Sequence, residues 1–167
     1  GICMTMDGES FLFAETWGCR ISRYWFAGPR KGRIECVIPD LPGYPDNINL
    51  ASDGNFWCGV IGMRTPAFDL AQRMPGFRRR MVLRTARDEW LYPNMNTGGV
   101  IKFALDGTVL HSLWDQAGER HPQVTSMREH KGWLYLGGIF NNRIGRIRLD
   151  DADPEWTARR AYWGKPA

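Results

Sequence analysis

The stretch Asp40-Leu-Pro-Gly-Tyr-Pro-Asp-Asn-Ile48 runs on into a second one, Ser52-Asp-Gly-Asn-Phe-Trp57. Because two prolines fix backbone angles and remove hydrogen-bond donors, the first stretch is predicted to be a stiff loop. A turn and an apolar strand over 56–61 follow it. The loop carries Asp46 and Asn47, whose side-chain oxygens are of the kind that calcium binds. Such residues after a proline are also common in turns, so the residues alone leave both interpretations open.

A turn followed by a short aromatic strand occurs three times along the chain. The three copies lie at 7–14, 53–59 and 130–137. Each is followed by a second and a third strand-like run, and these lie at 20–26, 33–38, 99–104, 108–114, 143–149 and 158–163. Short strands and tight turns in a repeated order are typical of a β-propeller, in which each blade is a four-stranded sheet. The sequence therefore predicts an all-β protein with about three propeller blades.

The segment 63–98 interrupts the strand pattern. Residues 67–74 and 77–84 have the apolar spacing of helices, and a Pro-Gly pair divides them. We expect a helical insertion over one face of the propeller, with residues 1–167 forming part of a single domain. The basic side of the second helix either faces solvent or contacts a membrane or a partner.

The composition argues against a membrane-spanning protein and a nucleic-acid-binding protein. The 167 residues are 43% hydrophobic and 24% charged, which is ordinary for a soluble globular domain. No apolar run approaches the roughly 20 residues of a membrane span. The net charge of +4 is mild, and no nucleic-acid-binding motif accompanies it, so we interpret the arginines as solvated surface.

The four cysteines lack the spacing of a metal or dithiol motif. They are Cys3, Cys19, Cys36 and Cys58, and no two are separated by only two residues. We expect buried free thiols, which are typical of a reducing compartment such as the cytoplasm. A disulfide is the alternative, and the spacing alone assigns no pairing.

Several segments resemble one known family. They are Leu41-Pro-Gly-Tyr-Pro-Asp-Asn-Ile48, Ile21-Ser-Arg-Tyr-Trp25, Gly28-Pro-Arg-Lys-Gly32 and Glu129-His-Lys-Gly-Trp-Leu-Tyr-Leu-Gly137. They resemble the strictosidine synthase-like family, which belongs with gluconolactonase, the luciferin-regenerating proteins and the paraoxonases to a group of six-bladed propellers. The resemblance implies that this chain is the C-terminal half of such a ring. Since three blades do not close a propeller, an N-terminal half or a second copy is expected as its partner.

The resemblance also implies a metal site. In that family the aspartate matching Asp46 projects into the central channel and binds calcium, and Asn47 matches a neighbouring ligand. The other ligands of the family would lie upstream of Gly1. They are needed, because two residues cannot supply the six to eight oxygens that calcium takes.

Four further residues are candidates for the site. Glu15 and Trp17 end the first aromatic strand and either shape a substrate pocket or pack between blades. His121 is a candidate general base, because histidine titrates near neutral pH. Thr125 is a candidate substrate contact, and the resemblance places it where strictosidine synthases use a glutamate as acid and base, a proton transfer that threonine cannot perform.

These expectations combine into one predicted function. The resemblance implies a calcium-dependent lactone or ester hydrolase that polarises a carbonyl of a small-molecule substrate with the metal. An enzyme that condenses an amine with an aldehyde is the first alternative, and Thr125 argues against it. A non-catalytic binding propeller with a structural metal is the second.

Overall fold

The computed structural model describes residues 1–86 and 97–152. Within these ranges the strands form three antiparallel sheets. The first sheet contains β1 (Ile2–Met4), β2 (Ser10–Glu15), β3 (Arg20–Trp25) and β4 (Ile34–Ile38). The second contains β5 (Gly43–Leu50), β6 (Phe56–Met63), β7 (Gly98–Phe103) and β8 (Val109–Asp115). The third contains β9 (Val124–His130), β10 (Trp133–Gly138) and β11 (Gly145–Arg148).

Within each sheet, consecutive strands along the chain pair with one another, so every sheet is a simple antiparallel meander. The chain leaves the outermost strand of one sheet and returns to the first strand of the next, as in consecutive propeller blades. The prediction of an all-β propeller, of which this chain forms a part, is confirmed.

The second sheet is covered on both faces. Along β6, Phe56, Cys58 and Val60 pack in a core shared with the first sheet, whereas Trp57 belongs to a core shared with the third. This follows from the alternation of side chains along a strand, and it explains why β6 is apolar at almost every position. A Cβ placed on Gly59 would lie 3.0 Å from the backbone of β9, so the third sheet packs directly against this glycine.

Two helices follow β6, as the helical insertion predicts. Helix α1 (Pro66–Arg73) begins at Thr65, whose hydroxyl accepts the backbone N–H of Phe68 at 3.3 Å. Helix α2 (Pro75–Arg84) begins at the proline predicted to divide the two helices. No residue of α2 is buried, so its arginines face solvent. A short helix, α3 (Leu149–Ala152), follows β11.

The prediction that residues 40–48 form a loop is wrong. Residues from Gly43 onward form β5, the first strand of the second sheet. Pro45 is tolerated there because β5 is an edge strand within its sheet, where a missing N–H need not interrupt a central ladder. The aromatic repeats are consequently the second strands of their sheets. The predicted run at 158–163 lies outside the described residues.

A buried ion pair fixes the turn between β5 and β6. The Lys102 ammonium on β7 lies 2.8 Å from a carboxylate oxygen of Asp53, and both side chains are at least 95% buried. A similar pair occurs in the first sheet, where Arg23 on β3 binds Asp7 in the turn between β1 and β2. In both sheets, therefore, a basic residue of the third strand forms an ion pair with an aspartate in the turn between the first two strands.

All four cysteines lie within the described ranges and are free thiols. None of the helices that the structure describes is both long enough and apolar enough to cross a membrane.

Candidate functional site

The first strands of the three sheets lie side by side. β1 contacts β5, and β5 contacts β9. A Cβ placed on Gly1 would lie only 2.4 Å from the Cα atom of Asn47. Two amides join β5 to β9, since the Nδ2 atoms of Asn47 and Asn49 donate to the carbonyl oxygens of Thr125 and Met127, each at 2.9 Å. First strands that face one another in this way form the axial lining of a propeller.

Asp46 and Asn47 lie on a β-bulge in this lining. Pro45 is opposite Val60, and Ile48 is opposite Cys58, so two residues of β5 face a single position of β6. A bulge bends the strand and redirects its side chains, and bulges occur often beside active sites. At the bulge, the side chains of Asp46 and Asn47 therefore do not follow the regular alternation between the two faces of β5.

The Asp46 carboxyl group has no cationic side chain beside it within the described residues, and the positive charge in its neighbourhood is the amino group of Gly1. The carboxyl group is half-buried, and no side chain within the described residues gives it a hydrogen bond or an ion pair. Burial raises its pKa above the ordinary value. A half-buried carboxylate without a cationic side chain beside it is stabilised by binding a cation.

The Asn47 amide is hydrogen-bonded through its nitrogen and not through its oxygen within the described residues. Its Nδ2 donates to Thr125, while its Oδ1 accepts no hydrogen bond from the part of the chain that the structure describes. The Thr125 hydroxyl donates to the carbonyl of Gly137 at 3.4 Å, so this side chain is engaged within the third sheet. Thr125 thus meets β5 through its backbone rather than its side chain.

The oxygens of Asp46 and Asn47 fit part of a calcium site. They are hard donors, and calcium takes six to eight of them. Cys58, which pairs with Ile48 beside the bulge, is a buried free thiol whose pKa is raised by burial to about 12, and calcium takes oxygen rather than sulfur ligands. The described residues contain no group of three or more histidine, cysteine, aspartate and glutamate side chains that could hold a metal. A calcium ion at Asp46 therefore requires further oxygen ligands.

Glu15 and Trp17 both have structural contacts. Glu15 forms an ion pair with Arg20 at 2.6 Å and accepts a hydrogen bond from Ser22. The Trp17 ring stacks on Phe68 of α1, with 4.8 Å between ring centroids, and is still 50% exposed. These contacts agree with the packing interpretation, and the exposed face of Trp17 leaves a substrate contact as a prediction.

His121 lies in a cleft between the second and third sheets. The cleft has a volume of about 460 Å³. Its apolar lining comes from both sheets and consists of Val100, Leu113, Trp114, Val124, Leu136 and Ile147. The carboxylate of Asp115 accepts the backbone N–H groups of Arg120 and His121, at 2.8 and 2.7 Å, and so fixes the loop that carries the histidine.

The structure does not bring His121 and Asp46 together. A Cβ placed on Gly145 would lie 3.1 Å from the imidazole of His121. Gly145 belongs to β11, which is separated from β9 by β10. The ring thus packs against the β10 and β11 part of the third sheet, and Asp46 is not among the residues that line its cleft. A role for His121 as the general base stays a prediction.

Acidification is expected to destabilise the protein through His121. Burial lowers the pKa of His121, and Arg143 adds to this effect, while the Leu136 carbonyl and Asp115 oppose it. The stability that the neutral ring contributes is fully present above the unfolded-state pKa of about 6.5 and is lost as pH falls through the lower folded-state value.

Urea unfolding at about pH 7.5 and about pH 5.5 measures this loss. We expect the midpoint of a His121→Phe variant to change less between the two conditions than that of the parent. Equal losses in both proteins would assign the pH dependence to other groups.

Two features were missed at the sequence level. The first is Asn49, which lies on the same face of β5 as Asn47. Residues two apart on a strand share a face, so interpreting 43–50 as a strand would have identified Asn49. The cleft was missed because its lining comes from parts distant in sequence, such as Trp114 on β8 and Arg143 in the connection between β10 and β11.

Comparison with known proteins connects this geometry to a family. A scan against protein-family models finds no match. Protein STRICTOSIDINE SYNTHASE-LIKE 13 of Arabidopsis thaliana is 41% identical over 151 residues, which cover 88% of this chain and 34% of that protein. The chain is a homologue of the strictosidine synthase-like proteins. The resemblance of the quoted segments to this family is thereby confirmed.

Other homologues and a solved structure show similar coverage of this chain. STRICTOSIDINE SYNTHASE-LIKE 10 of Arabidopsis thaliana is 31% identical, and the match covers 87% of this chain and 40% of that protein. Adipocyte plasma membrane-associated protein of Danio rerio is 33% identical, with 89% of this chain and 37% of that protein covered. The chain thus spans about a third of the length of these relatives. The β-propeller of luciferin-regenerating enzyme matches the fold with a TM-score of 0.51 and 16% identity, over 81% of this chain and 36% of that one.

Proposed function

We propose that the intact protein is a calcium-dependent lactone or ester hydrolase whose metal site includes Asp46. The observation that carries this proposal is the Asp46 carboxyl group, which the bulge of β5 holds in the axial lining without a cationic side chain beside it. The homology to strictosidine synthase-like proteins and the propeller fold support the same location for a site.

In this proposal Asp46 and Asn47 hold the calcium ion. When bound, the ion supplies a Lewis acid that polarises a substrate carbonyl toward attack by water. Asp46 contributes the negative charge, and Asn47 contributes an amide oxygen whose direction is set by the bond to Thr125. The chain itself keeps these donors rigid, because both lie between the paired segments of one strand.

The substrate body is proposed to lie near an aromatic group at the start of β5. Tyr44 of β5 packs against Trp17 and Phe68, with ring centroids 5.6 and 5.1 Å apart. Tyr44 and Phe68 are buried beneath Trp17, which keeps an exposed face that would offer a substrate an apolar contact. A lactone or ester with a hydrocarbon portion matches such a contact.

Loss of the Asp46 carboxylate is expected to abolish most of the activity. In the intact protein loaded with calcium, Asp46→Asn should lower kcat/KM for lactones or esters roughly a hundredfold or more, because removing even a group that supports a metal ligand costs about 10- to 100-fold. The matched control is Asp106→Asn, which changes an exposed aspartate in the turn between β7 and β8. Hydrolysis at the parent rate by Asp46→Asn would exclude the metal mechanism.

Calcium titration of the melting temperature gives a second readout. We expect calcium to raise Tm in the parent and the control, and to raise it less in Asp46→Asn. If calcium raises Tm but no lactone or ester turns over, the binding propeller with a structural metal is the better description. Formation of a cyclised product from an amine and an aldehyde would instead support the condensing enzyme.

A further inference from the structure

The cleft between the second and third sheets combines an apolar lining with arginines at its edge. Arg120, Arg143 and Arg146 line it, and all three are exposed. Arg146 stacks on Trp133, with its guanidinium carbon 4.4 Å from the ring centroid. Within the described part of the chain, Arg120 and Arg143 form no ion pair with a carboxylate. Two guanidinium groups are therefore available to a ligand.

The acidic residue of the cleft is committed to the protein. Asp115 accepts the backbone N–H groups of Arg120 and His121, and these bonds outweigh the effect of burial and lower its pKa. Three arginines against this one carboxylate leave a positive local charge. An anion is thus favoured over a neutral or cationic ligand.

The wall of the cleft also contains an unsatisfied polar atom. His121 is 8% exposed, and its Nε2 is buried with no hydrogen-bond partner. Buried polar atoms are nearly always hydrogen-bonded in proteins, to water or a ligand where the protein offers no partner.

We propose that this cleft binds a small organic carboxylate with an apolar body. The carboxylate pairs with Arg120 and Arg143, whose planar guanidinium groups match two oxygens at once. The hydrocarbon part packs on Leu113 and Trp114. A cleft of about 460 Å³ is within the range of small-molecule sites. This site is separate from Asp46 and does not depend on the proposed hydrolysis.

Calorimetric titration of the intact protein with decanoate tests the proposal. We expect saturable binding that is at least about tenfold tighter than that of decan-1-ol, which has the same chain without the charge. The double variant Arg120→Gln, Arg143→Gln should weaken decanoate binding about tenfold or more. Since both arginines are exposed, the variant should fold, and an unchanged melting temperature verifies this.

A matched control separates the cleft from general charge attraction. Arg79→Gln, Arg80→Gln removes the same two charges from exposed positions of α2 and should leave decanoate affinity unchanged. The proposal is overturned if decanoate shows no saturable binding, if decan-1-ol binds equally well, or if the control variant loses as much affinity as the cleft variant.

Discussion

Lys102→Met is expected to lower the free energy of unfolding by about 3–5 kcal/mol, the usual loss when one partner of a buried ion pair is removed. Lys102 is 1% exposed, and its ammonium lies 2.8 Å from Asp53 and 5.3 Å from the centroid of the Trp57 ring. Methionine keeps most of the volume but leaves the buried Asp53 carboxylate without this partner. Urea unfolding of the intact protein measures the difference.

Two further variants separate the charge effect from packing. Lys102→Met combined with Asp53→Asn removes both charges, keeps an amide oxygen for the bonds from Asn55, and should recover part of the lost stability, because no uncompensated charge stays buried. Arg148→Met breaks an exposed pair with Asp150 and should change stability very little. Equal stability of Lys102→Met and the parent would show that the buried pair contributes nothing to folding.

Glu129→Leu is expected to lower the free energy of unfolding by about 3 kcal/mol, because it removes the carboxylate that accepts hydrogen bonds from one buried and one partly buried donor. Glu129 lies on β9 and is 8% exposed. One of its oxygens accepts the indole N–H of Trp57 at 2.6 Å, and the other accepts the backbone N–H of Ser52 at 2.8 Å. These bonds join the third sheet to the second, so their loss weakens the contact between two blades.

The conservative variant Glu129→Gln is the control. Its amide oxygen can replace one acceptor, but its amide nitrogen cannot replace the other, so we expect roughly half of the loss. Trp57→Phe should couple to Glu129→Leu in a double-mutant cycle, since both remove the same bond. Additive effects of the two changes would mean that the 2.6 Å contact does not stabilise the protein.

The parts of the fold that could be predicted are those encoded locally. The sequence predicted the positions of the sheets along the chain from turn residues such as Asp53-Gly54 and the aromatic strands after them. These signals lie within a few adjacent positions. Strand β5 could not be predicted, since Pro42 and Pro45 are typical of loops and only the edge position in the sheet makes Pro45 acceptable.

The site was predictable only in part, for a related reason. Asp46 and Asn47 were found as adjacent residues, and the structure places both in the axial lining, while a metal there stays a prediction. The cleft depends on contacts between sheets that are distant in sequence. Arg120 and Arg143 carry no local signal that they face a common space.

The bond between Asn47 and Thr125 has a consequence for how such a site can diverge. The acceptor is the backbone carbonyl of residue 125, so the bond survives whatever side chain that position carries. The same holds for Asn49 and the carbonyl of Met127. A protein built this way can exchange residues on β9 facing its axis, and with them its chemistry, while the spacing between neighbouring blades stays constant.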